Sequence, residues 1–245
     1  MSLKRVLIIS DNPTLVSGFR EIIKATEYGS YQFDYRCSKG SEANVGKAVG
    51  AETKSIRVKT DWQELVENYS LIISLHCKQL FPSELMQVVR CVNVHPGLNP
   101  YNRGWFPQVF SILNGLPTGA TIHEIDEELD HGNIIVQQEV ENNVWDTSID
   151  IYSRVLQMEL ELLKQYLPKI LAGEYETFEP GEEGNLNLKK DFDALCELDL
   201  AKNQSIGETI DLLRALTHGE YQNAFFMDPK TGKKVYVSIR LESKK

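Results

Sequence analysis

The chain has 245 residues, enough to bury a substantial core, and its 42% hydrophobic and 25% charged side chains exclude the disordered, collagenous and membrane classes. A formal charge of −9 disfavours a nucleic-acid polymer as partner, because such binding draws on Lys and Arg to neutralise phosphates. Cys37, Cys77, Cys91 and Cys196 lack Cys-x-x-Cys spacing, so neither a zinc site nor a disulfide framework is expected. No stretch approaches the ~20 apolar residues of a membrane span, and the expected location is the cytoplasm.

In chain order, Val6 to Ser10 is a compact apolar run ending in Ser10-Asp11-Asn12-Pro13. Leu15, Phe19, Ile22 and Ile23 then recur at helical spacing, which predicts a strand, a turn and a helix. Further strands are expected at 31–37, 56–59, 71–75 and 91–95, with helical or turn-rich segments between them. Such alternation argues for an α/β fold with a mostly parallel sheet and helices on its faces. The stretch 38–54, rich in Gly, Ala, Ser and charged residues, reads as a flexible loop or a poorly packed insertion.

Two β-rich runs, 120–126 and 133–140, flank the acidic loop Glu127–Gly132, so a hairpin with Asp130 at its tip is expected. From Ile149 the apolar residues Tyr152, Leu156, Leu160, Leu163, Leu167 and Ile170 repeat every three or four positions, predicting one long amphipathic helix that ends at Gly173. The polar, glycine-bearing segment around Glu179–Asn185 reads as a linker. This divides the chain into a main domain, 1–178, and a C-terminal unit, 179–245. That unit is expected to hold a helix over 206–216 and a hairpin of 221–227 with 233–240, joined by Asp228-Pro229-Lys230-Thr231-Gly232. A two-stranded hairpin is marginal alone in water, and its exposed apolar side chains suit a two-fold homodimer contact.

Asn93 and His95 share one face near the carboxyl end of an apolar strand, where ligands of parallel sheets bind. Pro96-Gly97 turns the chain sharply after them. An Asn amide donates two N–H groups without changing charge, which suits an oxyanion. A carboxylate such as Asp130 can orient an imidazole or take a proton. Taken singly, His95 would more often be a hydrogen-bonded turn residue, and Asp130 a solvated member of an acidic cluster.

Asn93-x-His95-Pro96, Arg103-Gly104, Thr121-x-His123 and Asp126-x-x-x-Asp130-x-Gly132 in this order resemble the signature of the folate-dependent formyltransferases. The run Asn99-Pro100-Tyr101-Asn102-Arg103-Gly104-Trp105-Phe106-Pro107-Gln108 is similar to the branch that formylates dTDP-linked amino-dideoxyhexoses for surface polysaccharides. The resemblance implies a Rossmann-like formyltransferase core with a small C-terminal helix and hairpin unit. It implies direct formyl transfer from 10-formyltetrahydrofolate to a sugar amine, without a metal, with Asn93, His95 and Asp130 as catalytic residues. His123 and Thr121 would support the acidic loop. The folate is expected against His76, Cys77, Lys78, Leu80 and Asp126. The dTDP-sugar is expected near Ser10, Asp11, Asn12, Lys78 and Arg103, with Tyr221 and Phe225 as candidates for stacking on the base.

Other branches fit less well. Glycinamide ribonucleotide formyltransferases carry a Gly- and Ser-rich phosphate loop where this chain has Ser10-Asp11-Asn12-Pro13-Thr14. Methionyl-tRNA formyltransferases need a basic surface. Formyltetrahydrofolate hydrolases place a regulatory domain ahead of the catalytic strand, which here lies at the start. A non-catalytic sugar-nucleotide or folate-binding module would have no reason to keep all of Asn93, His95 and Asp130.

Overall fold

A computed structural model describes residues 4–26 and 28–244. The elements in order are β1 (Lys4–Ser10), α1 (Pro13–Ala25), β2 (Tyr31–Cys37), α2 (Glu42–Val49), β3 (Lys54–Ser55), α3 (Val58–Asn68), β4 (Leu71–Leu75), α4 (Ser83–Met86) and β5 (Arg90–His95). There follow β6 (Arg103–Gly104), α5 (Pro107–Asn114), β7 (Gly119–Glu124), β8 (Ile134–Glu139), α6 (Ser148–Ala172), β9 (Leu186–Asn187) and α7 (Lys189–Cys196). The last elements are α8 (Ile206–Leu216), β10 (Thr217–His218), β11 (Tyr221–Gln222), β12 (Phe225–Met227) and β13 (Lys234–Tyr236).

Among the described residues, seven strands form one sheet in the order β3-β2-β1-β4-β5-β7-β8. β1 pairs in parallel with β2 and β4, β4 with β5, and β7 runs antiparallel to β5, so the sheet is mixed and mostly parallel. Val6 to Ile9 and Leu71 to Leu75 are buried on both faces, as strands covered by helices on each side must be. The chain winds outward from β1 to β2 and then crosses back to β4. The carboxyl ends of β1 and β4 therefore form a topological switch point, the usual place for a ligand crevice.

The chain folds as two compact units, each assembled from separate stretches of sequence. One runs to His95 and takes in Thr121–Gln137 and Leu156–Gly181; the other holds Pro96–Ala120, Gln138–Val155 and the chain from Glu182. A single cut at 178/179 marks where the polar linker lies, but two earlier segments group with the C-terminal residues. Linear sequence carries no signal for such a grouping.

In the first unit, Leu7, Ile9 and Ile72 on one sheet face pack with Val58, Leu65, Leu85 and Val89. Near the other helix pair, a Cβ on Gly18 would lie 2.6 Å from Leu160 Cδ1, so glycine lets α1 approach α6 closely. α1 starts on a capped turn, with Asn12 Oδ1 accepting from Leu15 N at 3.0 Å and Pro13 in its first turn. The stretch 38–54 is no flexible loop. It contains α2, whose Val45 and Val49 are buried at i,i+4 spacing, and β3; its glycines masked that short pattern. Nor is 56–59 a strand: Ile56 N still donates to Cys37 O at 2.9 Å, but Val58 already opens α3.

In the second unit the fully buried Asn102 gathers four side chains. Its Nδ2 donates to Ser111 Oγ at 3.0 Å, and its Oδ1 accepts from Asn114, Asn185 and Asn187. This knot holds the parallel pair β6 and β9 against α5. The run expected as one strand over 221–227 is split: β11 turns back to pair with β10, while β12 pairs with β13. The predicted turn is present, with Gly232 at φ 67° and its N–H on Asp228 O at 2.8 Å.

Candidate active site

The pairing of β5 with β7 sets Asn93 opposite His123 and His95 opposite Thr121. Asp130 arrives from the loop between β7 and β8. Its backbone is left-handed, φ 51°, a region Asp and Asn enter more readily than other side chains. A Cβ on Gly132 would sit 2.0 Å from Glu124 O, so only glycine lets the loop return this tightly. The side chains of His95 and His123 are buried and that of Asp130 nearly so.

Asn93 Nδ2 donates to Asp130 Oδ1 at 3.0 Å and faces His123 Nε2 at 3.2 Å. His123 Nδ1 lies 2.7 Å from Glu124 O, which can only accept. Nδ1 therefore carries the hydrogen, and Nε2 accepts from Asn93. Asp130 Oδ2 lies 3.4 Å from His95 Nδ1, so the carboxylate favours the tautomer whose Nε2 is basic. Asn93, His95 and Asp130 are thus brought together as expected, with His123 as a fourth member. Both amide hydrogens of Asn93 have acceptors within the protein, Asp130 Oδ1 and His123 Nε2. A sequence does not display the His123 tautomer.

The loops after β1 and β4 gather Ser10, Asp11, Asn12, His76, Cys77 and Lys78. Ser10 is fully buried, its hydroxyl donating to Leu75 O at 2.8 Å, so it shapes the loop. Asp11 accepts from Ser38 N, Ser38 Oγ and Lys78 N at 2.8, 2.6 and 3.0 Å. Burial raises its pKa, yet these bonds outweigh that and hold it below the ordinary carboxylate value. Both oxygens serve as a staple between loops.

Cys77 has its thiol pushed up to about 12 by burial, which makes it an inert wall group. Lys78 and Leu80 are exposed beyond it, Leu80 to 67%. Asp126 accepts from Glu128 N at 3.0 Å and pairs with His131 Nδ1 at 2.7 Å, bracing the loop that carries Asp130.

Three further candidates lie in the second unit. Arg103 is only 4% exposed, its Nη2 paired with Glu183 at 3.1 Å, while Nε and Nη1 have no partner among the described residues. Phe225 packs on Tyr236 and takes the Lys234 ammonium over its ring at 3.9 Å, so it is a packing residue of the hairpin. Tyr221 is 73% exposed, with its ring centroid 5.7 Å from that of His218. Sequence reasoning missed Glu159 altogether: it is fully buried on α6 with its Oε1 2.7 Å from His76 Nε2. A Glu on an amphipathic helix looks like any solvated one.

Among the described residues no helix is long and apolar enough to cross a membrane, and no group of three or more His, Cys, Asp and Glu is arranged to hold a metal ion.

The profile of the Formyl transferase family matches residues 4–167, and that of the N-formyltransferase dimerization C-terminal domain matches 191–243. Over 182 residues the chain is 53% identical to dTDP-4-amino-4,6-dideoxyglucose formyltransferase of Mycobacterium tuberculosis, covering 74% of this chain and 77% of that protein. The crystal structure of a 4-N formyltransferase from Francisella tularensis is similar with TM-score 0.92 and 45% identity, over 98% of this chain and 99% of that one. A sugar N-formyltransferase from a Shewanella species gives TM-score 0.93 and 46% identity, over 99% of each. With the Asn93, His95 and Asp130 cluster in place, the chain belongs to the formyl transferase family, among its sugar N-formyltransferases.

Proposed function

We propose that the chain transfers the formyl group of 10-formyltetrahydrofolate to the 4-amino group of a dTDP-linked 4-amino-4,6-dideoxyhexose, in the cytoplasm, for a surface polysaccharide. The observation that carries this reading is the hydrogen-bonded set Asn93, Asp130, His95 and His123 in a chain 53% identical to a named dTDP-aminosugar formyltransferase.

In this reading the folate donor supplies the formyl carbon and lies along His76–Phe81 and the Asp126–Asp130 loop. The sugar amine attacks that carbon, forming the new C–N bond and a tetrahedral oxyanion. His95 Nε2 takes the amine proton, and Asp130 stabilises the resulting imidazolium. One N–H of Asn93 leaves Asp130 for the oxyanion as its charge grows, while His123 holds the other and keeps the amide oriented. His95 then returns the proton to the departing folate nitrogen as the old C–N bond breaks. Lys78 serves the pyrophosphate.

Incubating the protein with 10-formyltetrahydrofolate and a panel of dTDP-3-amino and dTDP-4-amino sugars tests this. Folate-dependent formylation of a 4-amino sugar, seen by mass spectrometry, is expected. Formylation of none, or of 3-amino sugars alone, refutes it. We further propose that residues 1–178 carry catalysis and that 179–245 joins two copies. Exposed Met227, Val235 and Tyr236 supply an apolar surface for that contact. Light scattering should report a dimer, and truncation after Gly219 should abolish it; a full-length monomer at micromolar concentration sinks this part.

A further inference from the structure

Glu159 is fully buried, and a buried carboxylate is costly to retain unless something holds it. Its Oε1 meets His76 Nε2 at 2.7 Å, and its Oε2 has no hydrogen-bond partner among the described residues. His76 has φ 57°, a conformation that side chains other than glycine adopt when their surroundings over-determine it. Its Nδ1 faces Asn12 Nδ2 at 3.0 Å.

The direction of each link follows from the helix cap. Asn12 Oδ1 is taken up by Leu15 N, so Nδ2 is the group that turns to His76 and donates to its Nδ1. The His76 hydrogen must then be on Nε2, where Glu159 accepts it. The same segment is tied a second time, by Lys78 N donating to Asp11 Oδ2 at 3.0 Å. Residues 76 to 78 are thus pinned from α6 on one side and from the β1 turn on the other. The exposed Lys78 and Leu80 continue from this anchored stretch.

We propose that Glu159 is a positioning residue: through His76 it sets the left-handed backbone at the end of β4 and so presents Cys77–Leu80 to the formyl donor. This rests on the reading above that places the folate along that segment. Glu159 itself touches no substrate. The carboxylate works as a hydrogen-bond acceptor, so an amide in its place serves as well.

The test uses the full-length protein, with folinic acid as an unreactive donor analogue. Dissociation constants come from calorimetry and the His76 tautomer from 15N-histidine NMR. In the double variant His76→Asn with Glu159→Met, no buried charge is left alone, and Asn tolerates the left-handed backbone. Its affinity for folinic acid should fall about tenfold or more, which is about 1.4 kcal/mol. Glu159→Gln should bind within about threefold of the parent, a difference under about 1 kcal/mol, and keep the Nε2–H tautomer. A double variant with unchanged affinity but a lower Tm would make the pair a purely structural one and overturn the proposal. So would a Glu159→Gln variant as weak as the double. If the parent itself does not bind folinic acid, the donor assignment falls and this proposal with it, a result distinct from either.

Discussion

Replacing Asp130 by Asn separates chemistry from folding. Asn tolerates φ 51° as well as Asp, whereas other side chains would add roughly 1–2 kcal/mol of backbone strain. Its amide oxygen can still accept from Asn93 Nδ2, as Asp130 Oδ1 does at 3.0 Å. Its NH2 then faces His95 Nδ1 and drives the imidazole hydrogen onto Nε2, the atom that takes the amine proton in the proposed mechanism. The exchange of a charge-assisted hydrogen bond for a neutral one costs about 1 kcal/mol of stability, or ~2–4 °C of Tm in a chain of this length. A histidine held in the wrong tautomer, by contrast, lowers kcat by up to ~10⁴-fold. We expect a loss of ~10²–10⁴-fold in kcat, about 3–5 kcal/mol of transition-state stabilisation. The assay follows formylated sugar nucleotide by chromatography at saturating donor, beside a thermal melt. A rate within about tenfold of the parent, or a rate loss fully matched by unfolding, would refute the tautomer argument.

His123→Phe leaves one Asn93 N–H without its acceptor; the misaimed amide should lower kcat by at least about tenfold and stability by about 1–3 kcal/mol, seen in rate and urea midpoint. Gly132→Ala would place a methyl 2.0 Å from Glu124 O, so the loop must open and move Asp130 away; activity should vanish with the melt shifted only a few degrees, and an active variant would contradict the packing. Stability should fall in two steps on acidification. His218 has its pKa lowered from 6.5 by burial, so the unfolded chain takes up that proton first and stability drops as pH falls below 6.5. Asp11, held below 3.8 in the fold, contributes stability above 3.8 that is lost as pH falls through its lower folded value. His218→Gln should remove the first step alone in urea midpoints measured across pH.

Local pattern in the sequence determined the parallel core, because strands buried on both faces read as near-continuous apolar runs, as Val6–Ile9 and Leu71–Ile73 do. It also determined α6 and α8, whose apolar period is helical over many residues, and the candidate trio Asn93, His95 and Asp130, whose order of residue types resembles a family signature. α2 and β3 were illegible because the buried positions are few and glycines surround them. The hydrogen-bond partners of Ser10 and Asp11 were decided by tertiary structure alone. Both sit at a strand end where ligands commonly bind, but Leu75, Ser38 and Lys78, distant in the chain, take up their hydrogen-bonding groups. Glu159 gives the clearest case: hydropathy assigns a glutamate to water, and only the packing of α6 beside the end of β4 supplies the imidazole that lets it stay buried. Burial and tautomer depend on partners far apart in sequence, so they belong to the folded chain and not to its local pattern.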